Sequence, residues 1–591
     1  MKEKIKKSLR KEWHIPYSPA AEEAMRRFTL TEKVIFRFFI CIFVLGMIGL
    51  LWHVNKSFLK EIPKVGGTLR EGIVGSPRFI NPLLALSDAD RDLTALVYSG
   101  LLKATPEGEL IPDAAKEYTI SADGLIYTVT LRDNVTFHNG EPITADDVIF
   151  TIARSQDSVL KSPKRASWEG VKVEKVDNLT VKFILKQPYS PFLENLTLGI
   201  LPKNIWQNAD AEQFPFSQYN IEPVGSGPYK IEKIKRNASG VPVYYHLSPF
   251  KDYALGRPFI KNIVIRFYSN ENQALQAERS GDVDSVNAIS PSEAKILMEK
   301  GVRVEHAPLP RIFGVFFNQN QAPVLSYSEV RLALDLALDR EKIVSGVLSG
   351  YGSKIYSPIP REFIGGEEQE DGHDENPIDN EPNTLAEAQN ILEKAGWTIN
   401  PETKVWEKKN KKQTETLSFS ISTANTPELE KTATLIKEMW EALGAKVDVR
   451  LFESNDLNQN VIRPRKYDSL LFGEVIGRDL DLYAFWHSSQ RNDPGLNIAL
   501  YTNTKADKLL DTARNELDKT KQIEAYKMLE NEIKKDTPAV FIYTPDFLYV
   551  VPKNLRGLKL KEITVPPERF LNIHEWYIET EKVWEIFAEP Q

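Results

Sequence analysis

Apolar and polar residues alternate over short runs in the first half of the chain. The alternation is clearest at residues 126–132 (IYTVTLR), 179–185 (LTVKFIL) and 259–268 (FIKNIVIRFY). Because successive side chains of a strand point to opposite faces, these runs predict strands with one buried face. A helical pattern at residues 145–155 follows Thr144, which is expected to form a capping box with the aspartate three positions on. The first half is therefore predicted to be rich in strands, with helices packed against them.

The second half has a different pattern, in which strands and helices alternate. The strand pattern at 417–423 (LSFSIST) is followed by a helix that Thr426 is expected to cap and Gly444 to end, and then by a strand at 446–452 (KVDVRLF). A strand, a helix and a second strand in this order predict two parallel strands covered by the helix. The same signals predict further helices at residues 384–396, 505–517 and 521–535.

One apolar run near the start is long enough to cross a membrane. Residues 34–52 (VIFRFFICIFVLGMIGLLW) contain a single charge, Arg37, and as a helix would span about 28 Å, close to the ~30 Å of a hydrocarbon core. Residues 1–33 carry nine Lys or Arg against five Glu, which predicts a cytoplasmic amino terminus. We therefore predict an uncleaved signal anchor in the cell membrane, with everything after it outside. The alternatives are a cleaved signal peptide, which expects small residues after the run, and a buried core helix.

Composition excludes several classes of function. The 591 residues are 42% hydrophobic and 27% charged, which is typical of a globular chain of two to four domains. The net charge of −7, without a basic stripe, argues against nucleic-acid binding. A single cysteine, Cys41, and eight scattered histidines predict no metal site and no cofactor. Because neither a G-x-S-x-G nor an H-E-x-x-H motif occurs, we expect no enzymatic activity.

Two further features have a structural interpretation. The acidic run at 365–382 lacks the pattern of a calcium loop, so we interpret it as a solvated loop. Gly225 and Gly227 are expected to form a tight bend, His138 to stabilise a turn, and Arg331 to belong to a packed helix.

Several ordered motifs carry a family resemblance. They include ISADGLIYTVTLRDNVTFHNGEPITADDVIFTI at 120–152, VGSGPYKI at 224–231, and YDSLLFGEVIGRDLDLYAFWHSSQ at 467–490. In order and spacing they resemble the extracellular solute-binding proteins of the peptide, oligopeptide and nickel ABC importers, bacterial family 5. The resemblance covers nearly all of residues 62–580. One departure is Asp479-Leu480-Asp481-Leu482, where relatives often have Asp-Pro-Asp-Pro.

The resemblance implies an α/β, two-lobed fold of the periplasmic-binding-protein type (type II, cluster C) with an inserted β-rich subdomain, here preceded by one transmembrane helix. The chain is expected to be a monomer. The predicted arrangement is a cytoplasmic basic arm (1–33), a transmembrane anchor (34–53), lobe I (62–305) containing the β-rich subdomain (about 102–198), lobe II (306–544) and a return to lobe I (545–591).

The resemblance also implies a function. We expect an extracytoplasmic receptor that closes on a peptide and delivers it to ABC permease subunits. Open alternatives are a tethered peptide or pheromone sensor, and a binder of a nickel chelate, haem or oligosaccharide.

The candidate ligand-binding residues lie mainly in one late loop. By resemblance, Asp479 would meet the α-ammonium of a peptide. Alternatively, Asp479 or Asp481 could cap the following helix, and Arg478 could neutralise either carboxylate. The full set of predicted ligand-binding residues is Asp479, Asp481, Arg478, Asn318 and Trp486.

Overall fold

The computed structural model describes residue 23 and residues 27–360, 384–410 and 414–587. It divides into two compact units, one comprising Met1–Lys64 with Glu579–Gln591 and the other Val65–Ile578. The predicted acidic loop at 365–382 and most of the basic arm lie outside the described residues.

The strands of the described residues, in chain order, are β1 (Leu59–Lys64), β2 (Gly66–Val74), β3 (Leu102–Ala104), β4 (Leu110–Pro112), β5 (Ala115–Ile120), β6 (Ile126–Leu131), β7 (Lys172–Lys175), β8 (Thr180–Ile184), β9 (Tyr229–Arg236), β10 (Pro242–Pro249), β11 (Ile260–Tyr268), β12 (Ser285–Asn287), β13 (Val304–Pro308), β14 (Arg311–Phe317), β15 (Gly352–Lys354), β16 (Thr398–Ile399), β17 (Trp406–Lys409), β18 (Thr414–Thr416), β19 (Ser418–Ala424), β20 (Lys446–Phe452), β21 (Ser469–Val475), β22 (Ala539–Val550) and β23 (Glu579–Trp584).

The α-helices of the same residues are α1 (Leu30–Phe58), α2 (Asp88–Val97), α3 (Ala145–Gln156), α4 (Arg165–Trp168), α5 (Phe192–Asn195), α6 (Lys203–Trp206), α7 (Glu271–Ser280), α8 (Pro291–Glu299), α9 (Ser328–Leu336), α10 (Arg340–Leu348), α11 (Thr384–Lys394), α12 (Pro427–Leu443), α13 (Ser454–Asp456), α14 (Tyr483–Trp486), α15 (Thr504–Asn515) and α16 (Lys519–Asp536).

The smaller unit contains the apolar helix. Helix α1 begins after a capping box formed by Thr29 and Glu32, and strand β1 follows it directly. Strand β1 pairs antiparallel with β23, the last strand of the described chain. Among the described helices, α1 alone is long and apolar enough to cross a bilayer, with a mean hydropathy of 2.7 over its most apolar stretch and no part of that stretch buried.

The larger unit is organised by one long mixed sheet. Its strand order is β20-β19-β21-β14-β22-β12-β2-β11-β10-β9, and β13 and β15 also pair with β22. The first part of β22 pairs with β14 and β15, and its second part with β12 and β13. Strand β22 therefore connects the two halves of the sheet.

The hydrophobic cores fall on either side of this connection. Two clusters of buried residues lie within residues 312–543. Three others are built from residues before 310 and after 546. One of these three, within residues 101–200, lies against the sheet β5-β6-β8-β7. The chain crosses between the two sets of cores near residues 309–312 and 543–547. These crossings support the predicted lobe and subdomain boundaries, which remain a prediction.

The predicted elements are confirmed where local patterns are strong. Strands β6, β8 and β11 and helix α3 occur at the predicted positions, and the Thr144–Asp147 capping box is present. The predicted strand–helix–strand unit is β19, α12 and β20, and the two strands are parallel. The predicted late helices are α15 and α16.

Gly225, His138 and Arg331, which the sequence analysis interpreted as structural, all lie against the backbone of other segments. The Cβ of an alanine at Gly225 would lie 2.0 Å from the Val97 carbonyl oxygen, so only glycine permits this approach. His138 Nε2 lies 3.0 Å from the carbonyl oxygen of Gly227. Arg331 on α9 donates to backbone carbonyls at the end of α16. The contact of His138 and the packed helix of Arg331 are thus confirmed, and Gly225 serves a close approach of two backbone segments.

Candidate ligand-binding site

The loop at 476–482 lies beside one crossing between the lobes. Strand β21 ends at Val475, which pairs with Arg311 at the start of β14. The next residue, Ile476, donates its N–H to the carbonyl of Pro310 at 2.8 Å. The loop then leads into the short helix α14. Its charged residues are therefore held close to the segment where the chain passes from one lobe to the other.

Arg478 joins this loop to the other lobe. Its Nη2 lies 2.8 Å from Glu568 Oε2, and its Nε lies 3.4 Å from Glu194 Oε1. Glu568 lies in the turn Pro566–Phe570, and Glu194 is on α5 of the β-rich region. The side chain of Arg478 is only 7% exposed. Arg478 therefore forms its close ion pairs across the lobes, not with either aspartate of its own loop.

Asp481 already has several partners. Its Oδ1 accepts the backbone N–H of Tyr483 at 3.2 Å, at the start of α14. Its Oδ2 lies 3.4 Å from Arg514 Nη2 and accepts from the Tyr189 hydroxyl at 3.4 Å. The Arg514 guanidinium lies over the Tyr189 and Tyr483 rings, 5.1 and 4.4 Å from their centroids. Asp481 thus bonds to the first residue of the helix, although the N-cap position itself is Leu482, and it links the loop to the β-rich region.

Asp479 has one carboxylate oxygen without a hydrogen-bond donor among the described residues. Its Oδ2 is buried and accepts no hydrogen bond from any described residue. Burial raises the pKa of Asp479 to about 7; Glu194 and Asp481 add to the increase, while Lys519 and Arg478 oppose it. A buried carboxylate without a partner is costly in its charged form, and a cation brought beside it would remove most of that cost.

The structure brings Trp486 close to the loop but places Asn318 elsewhere. Trp486 is fully buried and packs against Phe316 and Phe541. Asn318 follows Phe317, the residue of β14 that pairs with the first residue of β21. It therefore lies at the opposite end of this strand pair from the loop. Its side chain there donates to the Arg465 carbonyl at 2.9 Å.

Sequence reasoning missed several residues around the loop. Glu474 is buried on β21, burial raises its pKa well above the ordinary value, and neither carboxylate oxygen has a hydrogen-bond partner of normal geometry among the described residues. A lone charge in the apolar run SLLFGEV could have drawn attention to it. No sequence signal identifies the other missed residues, because they come from distant parts of the chain: Tyr189, Glu194, Arg514 and Glu568.

The described residues contain no cluster of three or more His, Cys, Asp or Glu side chains arranged to hold a metal ion. The chemistry of the loop is instead that of recognition. An unpaired carboxylate lies beside a crossing between two lobes, next to ion pairs that join them. Such a site is suited to bind a positively charged ligand.

The chain belongs to the bacterial extracellular solute-binding proteins of family 5. The family description "Bacterial extracellular solute-binding proteins, family 5 Middle" matches residues 109–497. The predicted family is confirmed, and this family consists of extracytoplasmic solute-binding proteins.

Three relatives illustrate the match. The oligopeptide-binding protein AppA of Bacillus subtilis is 30% identical over 543 residues, which are 89% of this chain and 94% of AppA. The structure of AppA in complex with a nonapeptide has a TM-score of 0.67 at 27% identity and covers 88% of this chain and all of AppA. The crystal structure of the ABC transporter substrate-binding protein CtaP of Listeria monocytogenes has a TM-score of 0.73 at 27% identity. It covers 87% of this chain and all of CtaP.

The third relative is NikZ of Campylobacter jejuni in complex with Ni(L-His), with a TM-score of 0.67 at 26% identity. It covers 87% of this chain and all of NikZ. These structural relatives confirm the predicted fold class. The relatives are solute-binding proteins, not enzymes.

Proposed function

We propose that this protein is a membrane-anchored receptor that binds peptides between its two lobes and delivers them to an ABC importer. The relatives support a peptide ligand, since AppA is an oligopeptide-binding protein whose structure holds a nonapeptide. The similarity to CtaP, an ABC transporter substrate-binding protein, supports an ABC importer as the partner. The receptor is proposed to act as a monomer.

The unpaired carboxylate of Asp479 carries this proposal. A linear peptide with a free amino terminus carries mainly an α-ammonium near neutral pH, whatever its sequence. Removing that ammonium from water requires a carboxylate partner, and Asp479 offers a buried oxygen that no described residue occupies. The backbone of the peptide can pair with exposed strand edges, which makes affinity tolerant of side chains.

The proposed mechanism is closure about the two crossings. A ligand that contacts both lobes favours the closed state by its differential affinity for that state. The ion pair between Arg478 and Glu568 and the Arg514–Asp481–Tyr189 group join parts of both lobes. A bound ammonium at Asp479 would add a further favourable charge pair beside them. The closed form would then be the form that a permease recognises.

The anchor is a separate part of the proposal. Helix α1 supplies the span, and the basic residues before it favour an amino terminus on the cytoplasmic side. A single-pass anchor would keep the binding unit near its permease and raise its effective concentration there. Amino-terminal sequencing of the native protein tests this claim. An intact start supports the anchor, whereas a mature start after Trp52 contradicts it.

Mass spectrometry of compounds that co-purify with the protein tests the ligand class. We expect a mixture of short peptides, released when the protein is denatured. Recovery of a nickel chelate, haem or an oligosaccharide as the main compound would contradict the peptide proposal. The sensor alternative remains a prediction, and neighbouring genes for permease subunits would favour transport.

A further inference from the structure

The end of the described chain returns to the apolar helix. Strands β1 and β23 pair antiparallel, with Leu59 opposite Trp584 and Lys64 opposite Glu579. Because β1 follows α1 without a break, Trp584 is held at the helix end of this pair. We call β1, β23 and residues 585–587 the carboxyl-terminal ribbon.

Two contacts fix the position of Trp584 on the helix. Its indole Nε1 donates to Asn55 Oδ1 at 2.9 Å. Its ring stacks on Phe58, with centroids 6.3 Å apart and an interplanar angle of 22°. Both partners belong to the last turn of α1. Trp584 therefore lies at the same height along the helix axis as residues 55–58.

That height corresponds to the headgroup layer of a bilayer at Asn55 and to the outer edge of this layer at Phe58. The apolar run ends at Trp52, so at ~1.5 Å per residue Asn55 lies roughly 4.5 Å and Phe58 roughly 9 Å beyond it. The polar layers of a bilayer add about 5 to 7 Å on each side of the hydrocarbon core. Tryptophan is enriched in this layer, because its ring is apolar and its N–H is polar.

The ribbon and the last turn of α1 together expose apolar surface. Ile586 is 76% exposed, Phe58 51% and Trp584 44%. Residues 55–64 and 579–587 together carry four lysines and four glutamates. A surface with balanced charges has little reason to bind anionic lipids, so its attraction to a membrane would come from the apolar side chains.

We propose that the carboxyl-terminal ribbon docks into the headgroup layer of the bilayer that α1 crosses, with Trp584 and Ile586 as the inserted side chains. The occupant of this apolar surface is phospholipid, because the ribbon is continuous with the membrane-spanning helix. The chain is then attached to the membrane at both ends of its binding unit. This inference rests on the proposed span of α1.

Site-specific fluorescence quenching of the full chain tests the proposal in phosphatidylcholine vesicles. One sample carries an environment-sensitive fluorophore on the native Cys41, within the span. The other carries it on Ile586→Cys in a Cys41→Ser background. Nitroxide lipids labelled either at the headgroup or deep in the acyl chain serve as quenchers. We expect deep quenching at position 41, and at position 586 quenching mainly by the headgroup nitroxide.

The two labels separate the failure of the ribbon from the failure of the span. Deep quenching at 41 with no quenching at 586 would overturn the docking while leaving the anchor intact. No quenching at either position would overturn both. Adding Trp584→Ala to the 586 sample should reduce headgroup quenching, and unchanged quenching would overturn the role of Trp584. Quenching at 586 should be the same when a third of the lipid is anionic, and a strong increase would contradict apolar insertion.

Discussion

Two carboxylates only two positions apart in the loop have opposite environments. Asp481 is satisfied by the Tyr483 N–H, Arg514 and the Tyr189 hydroxyl. Asp479 keeps one buried oxygen without a partner among the described residues. A carboxylate that lacks a partner in the unliganded protein can gain one from a ligand. The pair therefore offers a test residue and a matched control.

The affinity for a peptide should depend on pH through Asp479. Its pKa is raised to about 7, chiefly by burial, so the carboxyl is increasingly protonated below neutral pH. An ammonium binds the ionised form, and proton release must then accompany binding. Calorimetry should therefore show affinity falling by roughly tenfold per pH unit below about pH 6. Asp479→Asn should show little change over that range, and an equal pH dependence in both proteins would contradict the assignment.

The same residue should lower the stability of the unliganded protein at alkaline pH. Since the folded-state pKa of Asp479 lies above its ordinary value, the folded state binds more protons than the unfolded state between about pH 4 and pH 7. Stability is therefore lost as the pH rises through this window. Unliganded Asp479→Asn should melt at a higher temperature than the wild type at about pH 8, with a gap that closes towards about pH 4. A lower melting temperature at about pH 8 would instead indicate a stabilising role for the carboxylate.

At the scale of elements, local patterns predicted most of the fold. The alternation at 126–132 and the Thr426 and Gly444 helix signals depend on neighbours along the chain, and strand β6 and helix α12 follow them closely. The site was predicted less completely. Arg478 and Glu568 are 90 positions apart, and their pairing depends on how the lobes pack. Asn318 was predicted to bind ligand, yet the strand register places it at the end of β14 away from the loop.

The close approach at Gly225 should be intolerant of a side chain. In Gly225→Ala the added Cβ would lie 2.0 Å from the Val97 carbonyl oxygen, and backbone atoms cannot move aside without cost. We expect thermal or urea unfolding to show a loss of about 1 to 3 kcal/mol, as for other overpacked sites. Gly346→Ala on α10 is the control, because its Cβ would make only an ordinary 3.5 Å contact with Leu435. Equal stability of the two variants would contradict the close approach at Gly225.

At the scale of the whole molecule, ligand binding should make the protein more compact. Small-angle scattering of protein stripped of ligand should show a larger radius of gyration than the same protein saturated with peptide. Arg478→Gln should shift this response to higher peptide concentration, because it removes the ion pair with Glu568. Arg463→Gln, which removes an exposed pair with Asp493, is the matched control. An unchanged radius at saturating peptide would contradict hinge closure.

The most direct test of the central claim is calorimetric titration of wild type, Asp479→Asn and Asp481→Asn with one peptide and with its N-acetylated form. If Asp479 holds the α-ammonium, acetylation should weaken binding to the wild type and to Asp481→Asn by ~2 to 5 kcal/mol, about 30-fold to several-thousand-fold. Asp479→Asn should bind both forms with nearly the same affinity. An equal acetylation penalty in wild type and Asp479→Asn would contradict the account.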